Sequence, residues 1–267
     1  MSTAFTRAVE RGALFLALGG CGRGTTAPSP QNPSGNYAGV FDGGTVTLAI
    51  HLTANGGVLS GGGWSTILPS LMTGGTISGT YADRELHFDL RPPPPALSWH
   101  FDGVVESDTL RGDFALAPGQ GFLVELPRVD TVPTGLATVT LSGGVDLSAA
   151  GAAIFAYPPP SFEAALVVDA PGAPSFQVRV VWGRSGPLAV GTYPLHSGGG
   201  ATPTVAFIRS APGSDAVTLP LTSGTLVVEA SNRFAMIGRL DLVVADSQIA
   251  QPIAVHAVFS AGCTFNC

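Results

Sequence analysis

Residues 85–103 read Glu85-Leu86-His87-Phe88-Asp89-Leu90-Arg91-Pro92-Pro93-Pro94-Pro95-Ala96-Leu97-Ser98-Trp99-His100-Phe101-Asp102-Gly103. Apolar and polar side chains alternate on both sides of a proline run. In an extended strand, residues two apart share a face. Leu86, Phe88 and Leu90 therefore fall on one face, and His87, Asp89 and Arg91 on the other. Beyond the prolines, Trp99 and Phe101 repeat the apolar face, and His100 and Asp102 repeat the polar one. Proline has no N–H to give to a ladder, so Pro92–Pro95 is the connection. The stretch predicts an antiparallel hairpin in which Phe88 and Phe101 are buried, Asp89 faces His100 and His87 faces Asp102. A slip of one residue would exchange the faces and bury the four polar groups.

These four residues are also the candidate metal ligands of the chain. Two His and two Asp suit zinc by donor type. The same register equally makes opposite-charge pairs on a wet sheet face, worth about 0.2–1 kcal/mol each. The second reading is preferred, and no metal or other cofactor is expected.

The alternation continues outward. Thr45–Leu52 is a strand, and Asn55-Gly56 after it is a strong short hairpin signal. Thr76–Tyr81, Thr109–Leu116 and Gly121–Pro127 follow in the same rhythm. Short strands joined in order make a meander, which closes into a small barrel or a curved sheet. The first segment is thus a meander or barrel-like domain over 36–129. Its opening Gly35-Asn36-Tyr37 and strand–glycine rhythm are similar to the lipocalin and avidin barrels, which begin Gly-x-Trp. Tyr37 stands in place of that tryptophan, and no ligand-binding residue carries over.

Residues 130–135 read as a linker. The second segment, 136–267, offers further strands at Leu136–Leu141, Glu163–Asp169, Phe176–Trp182, Thr204–Ile208, Gly224–Ala230, Phe234–Val244 and Ile253–Phe259. Along Phe234-x-Met236-x-Gly238-x-Leu240-x-Leu242 one face is apolar, with Arg239 and Asp241 opposite. In rhythm this segment resembles the β-sandwich domains of bacterial surface proteins. The expected fold is all-β, a meander or small barrel followed by a β-sandwich, with one larger sandwich as the alternative.

The N-terminus carries a different signal. Arg7 and Arg11 precede the apolar stretch Gly12–Gly20, which is too short to span a bilayer, where about 20 residues are needed. It ends in Leu18-Gly19-Gly20-Cys21. This resembles the lipobox of bacterial lipoproteins, which implies cleavage before Cys21 and a lipid on its sulfur. Residues 1–20 are then a signal peptide. Residues 21–35, rich in Gly, Pro, Ser and Thr, form a lipidated tether of flexible composition. Export to an oxidising compartment would let the remaining pair, Cys263 and Cys267, form a disulfide.

Composition bounds the rest. The 267 residues are 45% hydrophobic and 11% charged, far from a disordered chain. All 12 basic residues are Arg, which excludes lysine nucleophiles and Schiff bases. A net charge of −6 without a basic cluster argues against nucleic acid as a partner. Gly183-Arg184-Ser185-Gly186 lacks the spacing and strand-to-helix setting of a nucleophile elbow and reads as a turn. Trp64, Trp99 and Trp182 read as core. The expectation is a lipid-anchored protein of the bacterial cell envelope, its partners a membrane through the N-terminal lipid and an unidentified protein or ligand. Its body is a non-enzymatic binding or structural module. The alternatives are a carrier of a small apolar ligand in the first barrel, and a hydrolase whose site carries no sequence motif.

Overall fold

The computed structural model describes residues 32–41, 46–66, 75–92, 97–116, 121–156, 164–172, 174–183, 186–197, 203–211, 215–247 and 249–264. Every regular element among them is a strand. The residues of the expected signal peptide and lipobox, including Cys21, and Cys267 lie outside the described residues.

The first eight strands are β1 (Gly35–Phe41), β2 (Val46–Asn55), β3 (Val58–Ser65), β4 (Gly75–Ala82), β5 (Glu85–Arg91), β6 (Trp99–Glu106), β7 (Thr109–Ala115) and β8 (Gly121–Val129). Each pairs with the next, and β8 returns to β1 through Asn36↔Val129 and Tyr37↔Arg128, so the meander closes into a barrel. At this strand number the interior has room for side chains or one small ligand. Here the interior holds Tyr37, Leu48, Ile50, Leu86, Phe88, Trp99, Phe101, Phe114 and further apolar side chains in one buried cluster. Asn55-Gly56 lies at the predicted hairpin, with Gly56 and Gly57 both at positive φ, where glycine is free of the Cβ clash.

The two ends of the barrel differ. At one end β2–β3, β4–β5 and β6–β7 are joined by two-residue turns. Tyr37 and Arg128 seal this end. The guanidinium lies 5.2 Å from the ring centroid, its Nη2 donates to the phenol oxygen at 2.9 Å, and its Nη1 donates to the Ser34 carbonyl at 2.9 Å. The last residues of the expected tether are thereby docked on the barrel, and Gly35 already belongs to β1. The opposite end receives the longer connections, and it gathers Phe41, Trp99, Phe114 and Phe122.

The second segment contributes β9 (Leu136–Gly143), β10 (Leu147–Ala156), β11 (Ala164–Ala170), β12 (Ser175–Trp182), β13 (Gly191–Pro194), β14 (Thr204–Ser210), β15 (Val217–Leu219), β16 (Leu221–Ser231), β17 (Ala235–Val244) and β18 (Ile253–Cys263). The expected sandwich of two packed sheets is not what these strands build. They form one ten-stranded sheet, in the order β13-β16-β17-β18-β9-β10-β11-β12-β14-β15. The sheet curls into a half-barrel, so that its inner face buries itself. Leu141, Phe155, Val178, Phe207, Leu226, Leu240 and Phe259 share one core. Near its two margins His196 bridges to Thr204, and Arg209 on β14 pairs with Asp246 just after β17 at 2.5 Å. A strongly twisted sheet this wide closes on itself more readily than it stays open.

The barrel and the curled sheet also pack together. Ala38, Ala49 and Trp64, on the outer face of β1–β3, belong to the core of the second sheet. Trp64 is fully buried there and lies against Gly262, where a Cβ would overlap the indole. Both faces of β1 and β2 are therefore largely covered, which is why buried residues run on along them without clean alternation.

Candidate functional site

The hairpin of 85–103 forms in the register its sequence dictates. Phe88↔Phe101, His87↔Asp102 and Asp89↔His100 are direct partners. Phe88 and Phe101 are buried and stack with centroids 4.7 Å apart. On the outer face His87 Nδ1 lies 2.6 Å from Asp102 Oδ1, and His100 Nδ1 lies 2.5 Å from Asp89 Oδ1. Asp89 is the least exposed of the four, and Arg91 Nη2 also donates to its second oxygen at 3.0 Å. The four candidate ligands come together as two cross-strand pairs. Among the described residues no group of three or more His, Cys, Asp or Glu is placed to hold a metal ion.

The hydrogen bond from Arg91, helped by the charge of His100, holds the Asp89 carboxyl below the usual carboxylate range. A depressed pKa contributes stability that is present above the unfolded value, about 3.9. That contribution is lost as pH falls through the lower folded value. Arg91→Ala should therefore move the Asp89 titration upward, as read by carboxyl NMR. Because the pair is partly exposed, the stability change should stay below about 1 kcal/mol.

A second constellation was not found from sequence. On the outer face of the curled sheet an open depression of about 370 Å³ crosses β16, β17, β18 and β9. The register Thr225↔Asp241, Asp241↔His256 and His256↔Thr140 sets one polar row across four strands. The next row is Ser223, Val243, Ala254 and Ser142, with a small apolar centre between two hydroxyls. His256 Nδ1 lies 2.7 Å from Asp241 Oδ1, and both side chains are about half exposed. With Nδ1 as donor, Nε2 is left as an acceptor in the depression, a tautomer assigned from the hydrogen bond. The groups come from residues 140–256, so no local motif could announce them. The only sequence signal is the outward Arg239-x-Asp241 alternation.

A third feature lies inside the barrel. Trp99 is 2% exposed, and its Nε1 has no hydrogen-bond partner. It stacks on Phe114 at 5.1 Å and lies 6.4 Å from Phe122, which is itself only half-buried. A buried donor without an acceptor costs about 1–3 kcal/mol. Tyr37, Tyr193 and Trp182 do not incur that cost. Tyr37 bonds to the Pro33 carbonyl, Tyr193 to the Ala189 carbonyl, and Trp182 Nε1 to the Gly186 carbonyl. Burial raises the Tyr37 phenol above its ordinary pKa, against the opposing charge of Arg128.

Cys263 is fully buried at the end of β18. Arg184 and Ser185 of the expected turn lie outside the described residues. No family model, curated protein or solved structure matches the chain.

Proposed function

We propose that this chain is an exported lipoprotein of the bacterial cell envelope, held at a membrane by lipid on Cys21, whose all-β body is a non-enzymatic binding module. The observation that carries the binding role is the open polar depression across β16, β17, β18 and β9. Its lining of hydroxyls, one carboxylate and one imidazole suits a polar ligand lying along the sheet. The anchoring part rests on Leu18-Gly19-Gly20-Cys21 and the polar stretch that follows. On that reading, protein made in a bacterial host partitions into the detergent phase, and Cys21→Ser moves it to the aqueous phase. Release of the unsubstituted protein by high salt alone would overturn the anchor.

Export carries a second expectation. Cys263 and Cys267 pair, and the enclosed loop is short, so the bond stabilises toward the low end of about 0–5 kcal/mol. Mass spectrometry after alkylation of the protein unfolded in urea without reductant should find neither thiol modified; two alkylated thiols would contradict the pairing.

A carrier of a small apolar ligand is the second reading, favoured by the unpaired indole N–H of Trp99 in the barrel. The hydrolase reading would use the Asp241–His256 pair beside Thr140. It is testable with p-nitrophenyl acetate. The binding reading expects turnover no faster than the buffer rate, and turnover abolished by His256→Ala would replace it with the hydrolase.

A further inference from the structure

We propose that the barrel takes a small apolar molecule bearing a hydrogen-bond acceptor, such as an aryl ketone or ester, and that Trp99 Nε1 is the donor that selects it. The inference rests on the carrier reading and names the ligand chemistry of that site.

Five of the rings in and around the barrel interior, Phe41, Phe88, Phe101, Phe114 and Phe122, carry no polar atom. A sixth phenylalanine would fill most of the Trp99 site without burying a donor. Instead the chain places an N–H among apolar side chains and gives it nothing to bond. The end of the barrel that holds it is unlike the other. Arg128 and Tyr37 close the far end with four hydrogen bonds and an ion pair among Arg128, Tyr37 and their neighbours. At the Trp99 end, among the described residues, the aromatic cluster is tied by ring contacts, Phe41 to Phe122 at 5.2 Å and Trp99 to Phe114 and Phe122. Phe122 is half-buried, and Leu97, two residues before Trp99, is 68% exposed.

Nε1 itself has no accessible surface, so an acceptor reaches it only when a neighbouring ring moves. Phe122 is the ring placed to do so. It lies at the start of β8, beside Trp99 and Phe41, and is the one member of the cluster that is only partly buried. Its displacement opens an apolar slot whose single polar group is a donor. A molecule with no acceptor would leave that donor unpaired, whereas a ketone or ester oxygen would satisfy it, and the barrel supplies no competing acceptor from the ring cluster. A carboxylate has the acceptor but would have to shed its hydration in a site that offers it no cation, so neutral ligands are preferred.

The test uses the full chain carrying Cys21→Ser, so that no acyl chain competes, with ¹⁵N-labelled indoles. Three indole N–H signals are expected, from Trp64, Trp99 and Trp182, and Trp99→Phe assigns the middle one of these in the chain. Two probes are titrated, the naphthyl ketone prodan and the acceptor-free 2-ethylnaphthalene. The proposal expects saturable binding of both, a downfield shift of the Trp99 indole proton with prodan only, and about tenfold weaker prodan binding in Trp99→Phe, with 2-ethylnaphthalene unchanged. If both probes bind but the Trp99 signal stays in place with prodan, or the variant binds prodan equally well, the donor role is overturned while the carrier reading stands. If neither probe binds, the carrier reading fails and takes the inference with it. Should Trp99→Phe not fold, the shift of the Trp99 signal in the unsubstituted indole still decides between these outcomes.

Discussion

Replacing Asp246 with alanine is expected to destabilise the folded chain by about 3–5 kcal/mol. Asp246 is 5% exposed, and its carboxylate lies 2.5 Å from Arg209 Nη1, whose side chain is 16% exposed. The substitution removes the counter-charge from a guanidinium that is largely out of water. The pair also spans the curl, since Arg209 lies on β14 near one margin of the sheet and Asp246 follows β17 near the other. Its loss should loosen the contact between margins as well as strand a charge. Replacing both partners with apolar residues, Arg209→Met with Asp246→Leu, should recover most of the loss, because a buried pair is often matched by a well-packed apolar one. Urea denaturation followed by circular dichroism checks both. A single-site loss below about 1 kcal/mol would mean that the pair does not hold the curl.

The second large effect concerns the seam between barrel and sheet. Trp64→Ala should cost about 3–5 kcal/mol, the range for emptying a buried aromatic site. Trp64 points out of the barrel, yet it is fully buried because β18 covers it. Gly262→Val should be destabilising for the converse reason, since any Cβ there overlaps the indole. The two should couple. In the double variant the valine finds the space the indole has left, so the combined loss should be smaller than the sum of the two. Additive losses would place Trp64 and Gly262 in separate environments and remove the seam.

The parts of the fold that sequence revealed are those where the side-chain pattern is local. His87-Phe88-Asp89 and His100-Phe101-Asp102 carry period-two alternation on both sides of prolines, so strand, face and register follow together. The strands that escaped are those without such a pattern. β3 contains Gly61, Gly62 and Gly63 and is not among the strands expected from sequence, but at Gly61 a Cβ would overlap the His51 carbonyl oxygen, so close strand approach is the reason for glycine there. β10, Leu147–Ala156, is rich in alanine and shows no alternation. Its Gly151 lies against the Asp169 carbonyl for the same reason. The curled sheet was out of reach because one wrapped sheet and two packed sheets present the same alternation along each strand. What separates them is strand order, and β18 pairs with β9 across more than a hundred residues.

The site divides in the same way. The two His–Asp pairs of the barrel were legible because both partners lie in one hairpin. The depression on the second sheet assembles Thr225, Asp241, His256 and Thr140 from four strands, and only the register brings them into a row. Trp99 was legible as core, but its unpaired N–H was not, because hydrogen-bond satisfaction depends on neighbours that sequence does not list.

The claim that joins these parts is that the all-β body is carried at a membrane by a lipid on Cys21. Its most direct test is the intact mass of the protein extracted from bacterial membranes, with sequencing of its N-terminal peptide. The account predicts a mature chain that begins at Cys21 and carries acyl mass on that residue. A chain beginning at Met1, or one cleaved elsewhere with Cys21 unmodified, would contradict it.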